Sequence, residues 1–330
     1  MTRGLHMQSE IAEAPQVFAR ALLTVPSLNP NLSRINAIYT VARGSSDAAA
    51  SILSYEFMRE LGKPMTSLPP SVFSLGHGVD LTNTLALIIS QSGASEDLVL
   101  SARGAREAGA AVVAITNQPD SAVEQEADVT LPIQAGPELA VPATKTVVGS
   151  IAAGMALLAA LNPLYRSRAQ ASAKALLAAP IDHPQAQAIT AALTQASHVY
   201  VIGRDVGFGA AHEIALKIKE TCAIHAEAYS SSEVLHGPLQ LATNPLLTLI
   251  LDTGQPDVQD SLNTAETRFL AAGCPVFRIR PDDVGTTGIT PAAAAALLLI
   301  LAYPIVLNTA LALGHDPDRP TTLSKVTHTR

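Results

Sequence analysis

The chain has no tryptophan, only two cysteines, and few aromatic side chains of any kind, 4% of 330 residues. Cys222 and Cys274 are too few and too scattered for a disulfide framework or a thiolate metal site. Charge is scarce too. Asp, Glu, Lys and Arg make up 15% of the residues, the net charge is −7, and no basic run occurs. Without clustered cations or interleaved aromatics, nucleic acid is not an expected partner. The opening stretch, "MTRGLHMQSEIAEAP", lacks the apolar core of a signal peptide, which makes the cytoplasm the expected location. An anionic ligand would have to be held by local groups against an unhelpful overall field.

What the sequence has in abundance is small and aliphatic residues, 48% hydrophobic in all, enough for a sizeable core. The longest charge-free stretch runs from Gly285 to Gly314. Pro304 and Asn308 interrupt it and alanine dominates it, so it predicts a buried closing helix of an α/β domain and no membrane span.

The chain also repeats itself. "IYTVARGSSDAAA" from Ile38 and "VYVIGRDVGFGAA" from Val199 share one form, an apolar strand, a turn with Arg, and an Ala-rich helix start. Arg43 falls on Arg204 at a separation of 161, and "LALII" from Leu85 falls on "LLTLI" from Leu246 at the same separation. "GAAVVAITN" from Gly109 matches "GCPVFRIRP" from Gly273. The order and spacing predict two copies of one α/β unit. Strands are predicted near 36–42, 84–90, 111–116 and 128–132, then near 198–203, 246–251 and 275–280. Helices are predicted over Ser46–Leu61, Ser95–Ala108, Thr144–Ala160, Gly209–Cys222 and Val258–Ala271. Such alternation predicts parallel sheets flanked by helices, with ligands beyond the carboxyl ends of the strands. The expected division is a helical leader at 1–34, a first domain at 35–161, a connecting segment at 162–190, a second domain at 191–314 and a tail at 315–330.

Two turns stand where ligands are expected. In "SQSGAS" the strand ends at Ser90, Gly93 lets the backbone approach closely, and Ser95 can cap a helix. Hydroxyls and free N–H groups at a helix start suit phosphate oxygens, although an ordinary capped turn needs no more than one Ser. Glu96 and Asp97 count against a dianion unless they point away. "RGSSDA", with Gly44, Ser45 and Ser46, is built the same way on a neighbouring strand. The second copy's "GRDVGFG" lacks paired hydroxyls, and its own anion pocket is expected to be lost. Its next helix instead carries Glu213, Lys217 and Glu220 on one face, either a solvated stripe or a half-buried pair tuned for proton transfer. His236 lies in a loop, in "LHGP". The end, "HDPDRPTTLSKVTHTR", is a mobile tail that is either disordered or a lid bringing Lys325 over the pocket.

Together "SQSG", "ALKIKE", "HAEAY", "LHGP" and "LSKVT", in this order from about residue 34 to Lys325, resemble the tandem sugar isomerase (SIS) domain family. The resemblance is to the isomerase half of glutamine–fructose-6-phosphate aminotransferase and to SIS-type glucosamine-6-phosphate deaminases. It implies two tandem SIS domains, each a flavodoxin-like three-layer α/β sandwich. It also implies that Ser45, Ser46, Ser90, Gln91, Ser92 and Ser95 hold a sugar phosphate, with Gly44 in the same turn. Val141 matches a backbone contact to the sugar, and Glu220 the carboxylate that moves a proton between C1 and C2. His236 matches a ring-opening histidine often supplied by a neighbouring subunit, and Lys325 a lysine able to form a Schiff base. Glu213 and Lys217 match charged positions flanking the catalytic carboxylate.

Ala94, Ala143 and the "GSS" turn depart from the synthase pattern, which loosens the substrate assignment more than the reaction class. The synthase also carries an N-terminal glutaminase domain, whereas here Thr2 follows Met1 and about 35 residues precede the first strand. The expected activity is therefore deamination of glucosamine 6-phosphate to fructose 6-phosphate and ammonia, with no metal or organic cofactor, by a homodimer with shared active sites. A fructosamine-6-phosphate deglycase, a galactosamine-6-phosphate deaminase and a non-catalytic sugar-phosphate sensor are the alternatives.

Overall fold

Short runs of branched aliphatic residues bounded by Gly, Ser and Thr become parallel strands in the computed structural model, which describes residues 3–26 and 35–325. In chain order, α1 (Leu5–Leu22) precedes β1 (Ala37–Val41), α2 (Ser45–Leu61), β2 (Met65–Ser67), α3 (Ser71–Ser74) and β3 (Thr84–Ser90). Next come α4 (Glu96–Glu107), β4 (Ala111–Thr116), α5 (Ala122–Gln125), β5 (Val129–Pro132) and α6 (Lys145–Leu161). Helices α7 (Pro163–Ala178) and α8 (Ala186–Gln195) lead to β6 (His198–Gly203), α9 (Val206–Cys222), β7 (His225–Ser230) and β8 (Leu247–Leu251). The described chain closes with α10 (Gln259–Ala271), β9 (Val276–Ile279) and α11 (Pro291–Ala312).

These elements form two bodies. One comprises residues 14–137 and 145–173 and holds a five-stranded sheet of order β2-β1-β3-β4-β5. Its β3 has all seven residues buried, as expected of a parallel strand covered on both faces. The other comprises residues 1–13, 138–144 and 174–325 and holds a four-stranded sheet of order β7-β6-β8-β9. In each sheet the strand order reverses beside the first strand of the copy, and a reversal of this kind opens a ligand crevice at the strands' carboxyl ends. The fold is the parallel, helix-flanked α/β architecture expected. Two strands, β2 and β7, lie where none was expected.

The repeat extends to single dihedral angles. Helices α2 and α9 begin and end 161 residues apart. Gly44 enters α2 at φ 55° and ψ −129°, and Asp205 enters α9 at φ 56° and ψ −131°. Gly62 leaves α2 at φ 63°, and Ala223 leaves α9 at φ 55°. The second copy thus keeps a left-handed backbone at two positions where it no longer has glycine.

Helix α11 is long and apolar enough to cross a membrane, but 83% of its most apolar window is buried within the protein. It packs against α8 and α9 as the uncharged central helix of its body.

Close approach of strand to helix is tightest at Gly203, the last residue of β6. A Cβ there would sit 2.1 Å from the carbonyl oxygen of Gly207, a backbone atom of α9 that cannot swing aside. Gly203→Ala should therefore destabilise the fold by about 3 kcal/mol or more, the upper end of overpacking costs. Urea denaturation of purified native and variant protein measures this directly. A variant within 1 kcal/mol of native, on the order of a tolerated core swap, would show that α9 yields.

Candidate active site

In the first body, the turns after β1 and β3 lie on adjacent paired strands, with Val41 opposite Ile88. Gly44 turns the chain into α2, whose first turn begins with Ser45 and Ser46, both half-buried. After β3, the buried Ser90 accepts the Gly93 N–H at 3.1 Å and Ser92 Oγ accepts the Ala94 N–H at 3.3 Å. Gln91 uses its carbonyl to accept the Asn117 N–H at 3.0 Å. Ser95 occupies the cap position of α4, yet its hydroxyl makes no capping bond, which differs from the expected cap. Gly93 is required, since a Cβ at its φ of 60° would lie 2.2 Å from Ser121 Oγ.

Of the two acids in the first turn of α4, Asp97 is not the obstacle to an anion that the sequence suggested. Asp97 is buried, accepts the Leu98 N–H at 3.0 Å, and pairs with Arg43 Nε at 3.2 Å. Arg43 thus cancels its charge and ties the two serine turns together. What remains is a set of hydroxyls at the starts of two helices, whose dipoles favour negative charge.

In the second body, α9 carries the expected charged face, and it is buried. Lys217 Nζ lies 3.6 Å from Glu213 Oε1 and donates a hydrogen bond to Glu220 Oε2. The side chains of Glu213 and Lys217 are 0% and 1% exposed, while Glu220 is 24% exposed. Burial works to discharge Lys217, but Glu213 and Glu220 outweigh it and hold the ammonium above its ordinary pKa. Tyr303, on α11, donates to Glu213 Oε1 at 3.0 Å. Its phenol is raised well above the usual range by burial and then by Glu213, so it stays a donor. Glu220 is the open member of this chain of contacts. Glu220 lines a cleft of about 480 Å³ together with Arg3, Lys219, His315, Asp316 and Arg319.

The tail is neither free nor disordered through Lys325. The buried Asp318 carboxylate accepts the N–H groups of His6 and Met7 at 3.0 and 2.8 Å, and its backbone carbonyl accepts the Val141 N–H at 3.1 Å. Lys325 Nζ donates to Ala140 O at 2.6 Å and to Glu138 Oε2 at 3.2 Å. Glu138, itself buried, accepts the Thr144 N–H with its other oxygen at 2.9 Å. Lys325 and Val141 are thus brought to one segment, residues 138–141. His236 is exposed and ends a short 3-10 turn, its N–H donating to Glu233 O at 3.0 Å.

Glu138 and the Arg43–Asp97 pair were not singled out by sequence reasoning. A lone Glu in a loop carries no periodic signal. The conjunction of "RGSS" with an acid one turn into α4 was available and points to the ion pair. Among the described residues, no group of three or more His, Cys, Asp or Glu side chains could hold a metal ion.

Comparison with known proteins follows this geometry. The SIS domain model matches residues 31–160 and 192–277. The glutamine–fructose-6-phosphate aminotransferase of Aeropyrum pernix is 31% identical over 97% of this chain and 56% of its own length. The chain thus spans a little over half the length of the curated relatives it matches. A protein of known structure from Silicibacter pomeroyi DSS-3 is 33% identical, with a TM-score of 0.80 over 94% of this chain and 99% of that one. The glucosamine-6-phosphate deaminase of Thermotoga maritima shares the fold at 20% identity and a TM-score of 0.75, over 98% of this chain and 100% of that one. Family matches in both copies of the repeat, on the two sheets described above, place the chain in the SIS domain family.

Proposed function

We propose that the protein is a sugar-phosphate isomerase that deaminates glucosamine 6-phosphate to fructose 6-phosphate and ammonia. The observation that carries this reading is Glu220, a carboxylate hydrogen-bonded by a buried ammonium on one side and open to a cleft on the other. An aldose–ketose shift needs such a group, able to accept a proton at one carbon and return it at the next. In this reading the serines at 45, 46, 90, 92 and 95, with Gln91, hold the phosphate, and His236 assists ring opening. Glu220 takes the C2 proton and delivers one to C1. The 2-amino group becomes a ketimine, and water adds across it to give the ketone and release ammonia. Lys325 intercepts the C2 centre as a Schiff base. The assembly is a homodimer in the cytoplasm, with His236 serving the partner's site.

A second reading, release of an amino acid from a fructosamine 6-phosphate, is favoured by one observation. The cleft beside Glu220 holds Arg3, Lys219 and Arg319, which suit a carboxylate on the departing amine. Ammonia and amino-acid release, assayed across glucosamine, galactosamine and fructosyl-amino-acid 6-phosphates, decides between them.

Three sets of variants test the first reading. Glu220→Gln keeps size and hydrogen bonding but cannot accept a proton, so kcat should fall by roughly 10²–10⁴-fold with binding retained. Solvent exchange of deuterium at substrate C2 should vanish in the same variant, and exchange that survives would make the carboxylate structural. Ser90→Ala with Ser92→Ala removes charge-assisted donors worth about 1.5–3 kcal/mol each. KM should then rise at least about tenfold in a folded protein whose melting temperature falls, because the Gly93 and Ala94 N–H groups lose their acceptors, and an unaltered KM rules out the cradle. Mixing Glu220→Gln chains with His236→Asn chains should restore activity in the hybrid dimer. A verified heterodimer without activity would place His236 in its own chain's site.

A further inference from the structure

The two acceptors that hold Lys325 belong to one short segment, and that segment is itself held by a carboxylate from α1. Glu10 is 3% exposed. Its Oε1 accepts the N–H of Leu139 and, at 3.3 Å, the N–H of Ala140. On either side of these amides stand Glu138, whose Oε2 takes the Lys325 ammonium, and the Ala140 carbonyl that takes it too. The other oxygen of Glu10 is buried and makes no hydrogen bond among the described residues.

This is an unfavourable place for a carboxylate. Burial pushes its pKa up to about 7, although the Leu139 N–H pulls it down. Of the charged groups facing it, Glu138 adds to the rise and Lys325 opposes it. A raised value in the fold means that the folded state binds the proton more tightly than the unfolded chain. The associated stability is full below about 4.5, the ordinary carboxyl value, and is lost as pH rises through 7. The fold gains nothing from the charge at neutral pH, and an uncharged acceptor could brace the same two amides. What the position supplies is an acceptor for the two amides that flank the acceptors of Lys325.

We propose that Glu10 is a positioning residue, fixing the 138–141 segment so that Lys325 meets the open-chain ketose. This rests on the proposed role of Lys325. In that step the neutral lysine amine adds to the C2 carbonyl and the carbinolamine loses water to leave a carbon–nitrogen double bond. Borohydride then reduces this imine to a secondary amine that stays on the protein.

The test uses the full chain with fructose 6-phosphate and borohydride, and reads the adduct on Lys325 by mass spectrometry. Exchange of the sugar's C1 and C2 hydrogens in D₂O reports the Glu220 step separately. Glu10→Ala should lower the trapped adduct at least about tenfold, as small misplacements of reacting groups do, with exchange kept within about threefold. Glu10→Gln should restore the adduct, because its amide oxygen still accepts both N–H groups. It should also raise the melting temperature at pH 8, since it removes the buried charge. If Glu10→Ala fails to fold, Glu10→Asp decides, its shorter arm predicting the same loss of adduct.

An undiminished adduct in the alanine or aspartate variant overturns the proposal, as does a parallel loss of adduct and exchange. Native protein that exchanges hydrogen but traps no adduct also overturns it and leaves the proposed function standing. Native protein with neither exchange nor ammonia release overturns the proposed function, and this inference with it.

Discussion

A lysine ammonium with almost none of its side chain exposed must be compensated within the protein, and Lys217 sets that demand at the middle of α9. Glu213 meets it from one turn back and Glu220 from one turn ahead, and Tyr303 takes up the remaining capacity of the Glu213 oxygen that faces the lysine. Removing one partner from such a buried pair costs about 3–5 kcal/mol, because it strands the other charge. The spacing of the three residues along α9 therefore has little freedom. So does the seating of α11, which brings Tyr303 to the cluster. The exposed edge of Glu220 is the end of this arrangement, held in a defined orientation by groups that are themselves fully buried.

The same supersecondary unit presents two different sets of side chains. After β1 and β3 it presents hydroxyls and helix starts, with the nearby acid neutralised by Arg43. In the second copy the counterpart of Ser90 is Leu251, the last residue of β8, and Asp252 follows, buried and paired with Arg278 at 2.8 Å. The Gly254 N–H donates to Asp252 Oδ1 at 2.8 Å, as the Gly93 N–H donates to Ser90 Oγ in the first copy. Where the first turn presents hydroxyls, the second presents a buried carboxylate, and its helix carries the ion-paired face of Glu213, Lys217 and Glu220. Asp205 nonetheless has the backbone of Gly44, so the two copies enter their helices alike without sharing the residue.

Much of this was legible in the sequence because it is local. Runs such as "LALII" can only be buried strands, and the 161-residue offset carries from residue pattern to helix ends without a slip. The strands that escaped, β2 and β7, are edge strands with half-exposed polar residues. "MTS" and "HAEAYS" have neither clean alternation nor an apolar run. At the site, the serine turns and the charged face of α9 follow from spacing alone, whereas Lys325 and Val141 rested on resemblance. Glu10, Glu138 and Asp318 could not be read at all. Each is a single acid whose partners lie more than 100 residues away, or on a loop without pattern, and only the tertiary fold gives them meaning.

The body that carries α9 is assembled from three separate stretches of chain, the first of them residues 1–13. On the ribosome this stretch emerges well before its partners, with Met7, Ile11 and Glu10 destined for burial against residues still to be made. Asp318, which takes the first amides of α1, follows roughly 300 residues later. At about 5–20 residues per second that interval lasts on the order of 15–60 s. Through that time an apolar helix face and an unpartnered acid must wait exposed. The segment that finishes the lysine's setting thus leaves the ribosome long before the residues it packs against.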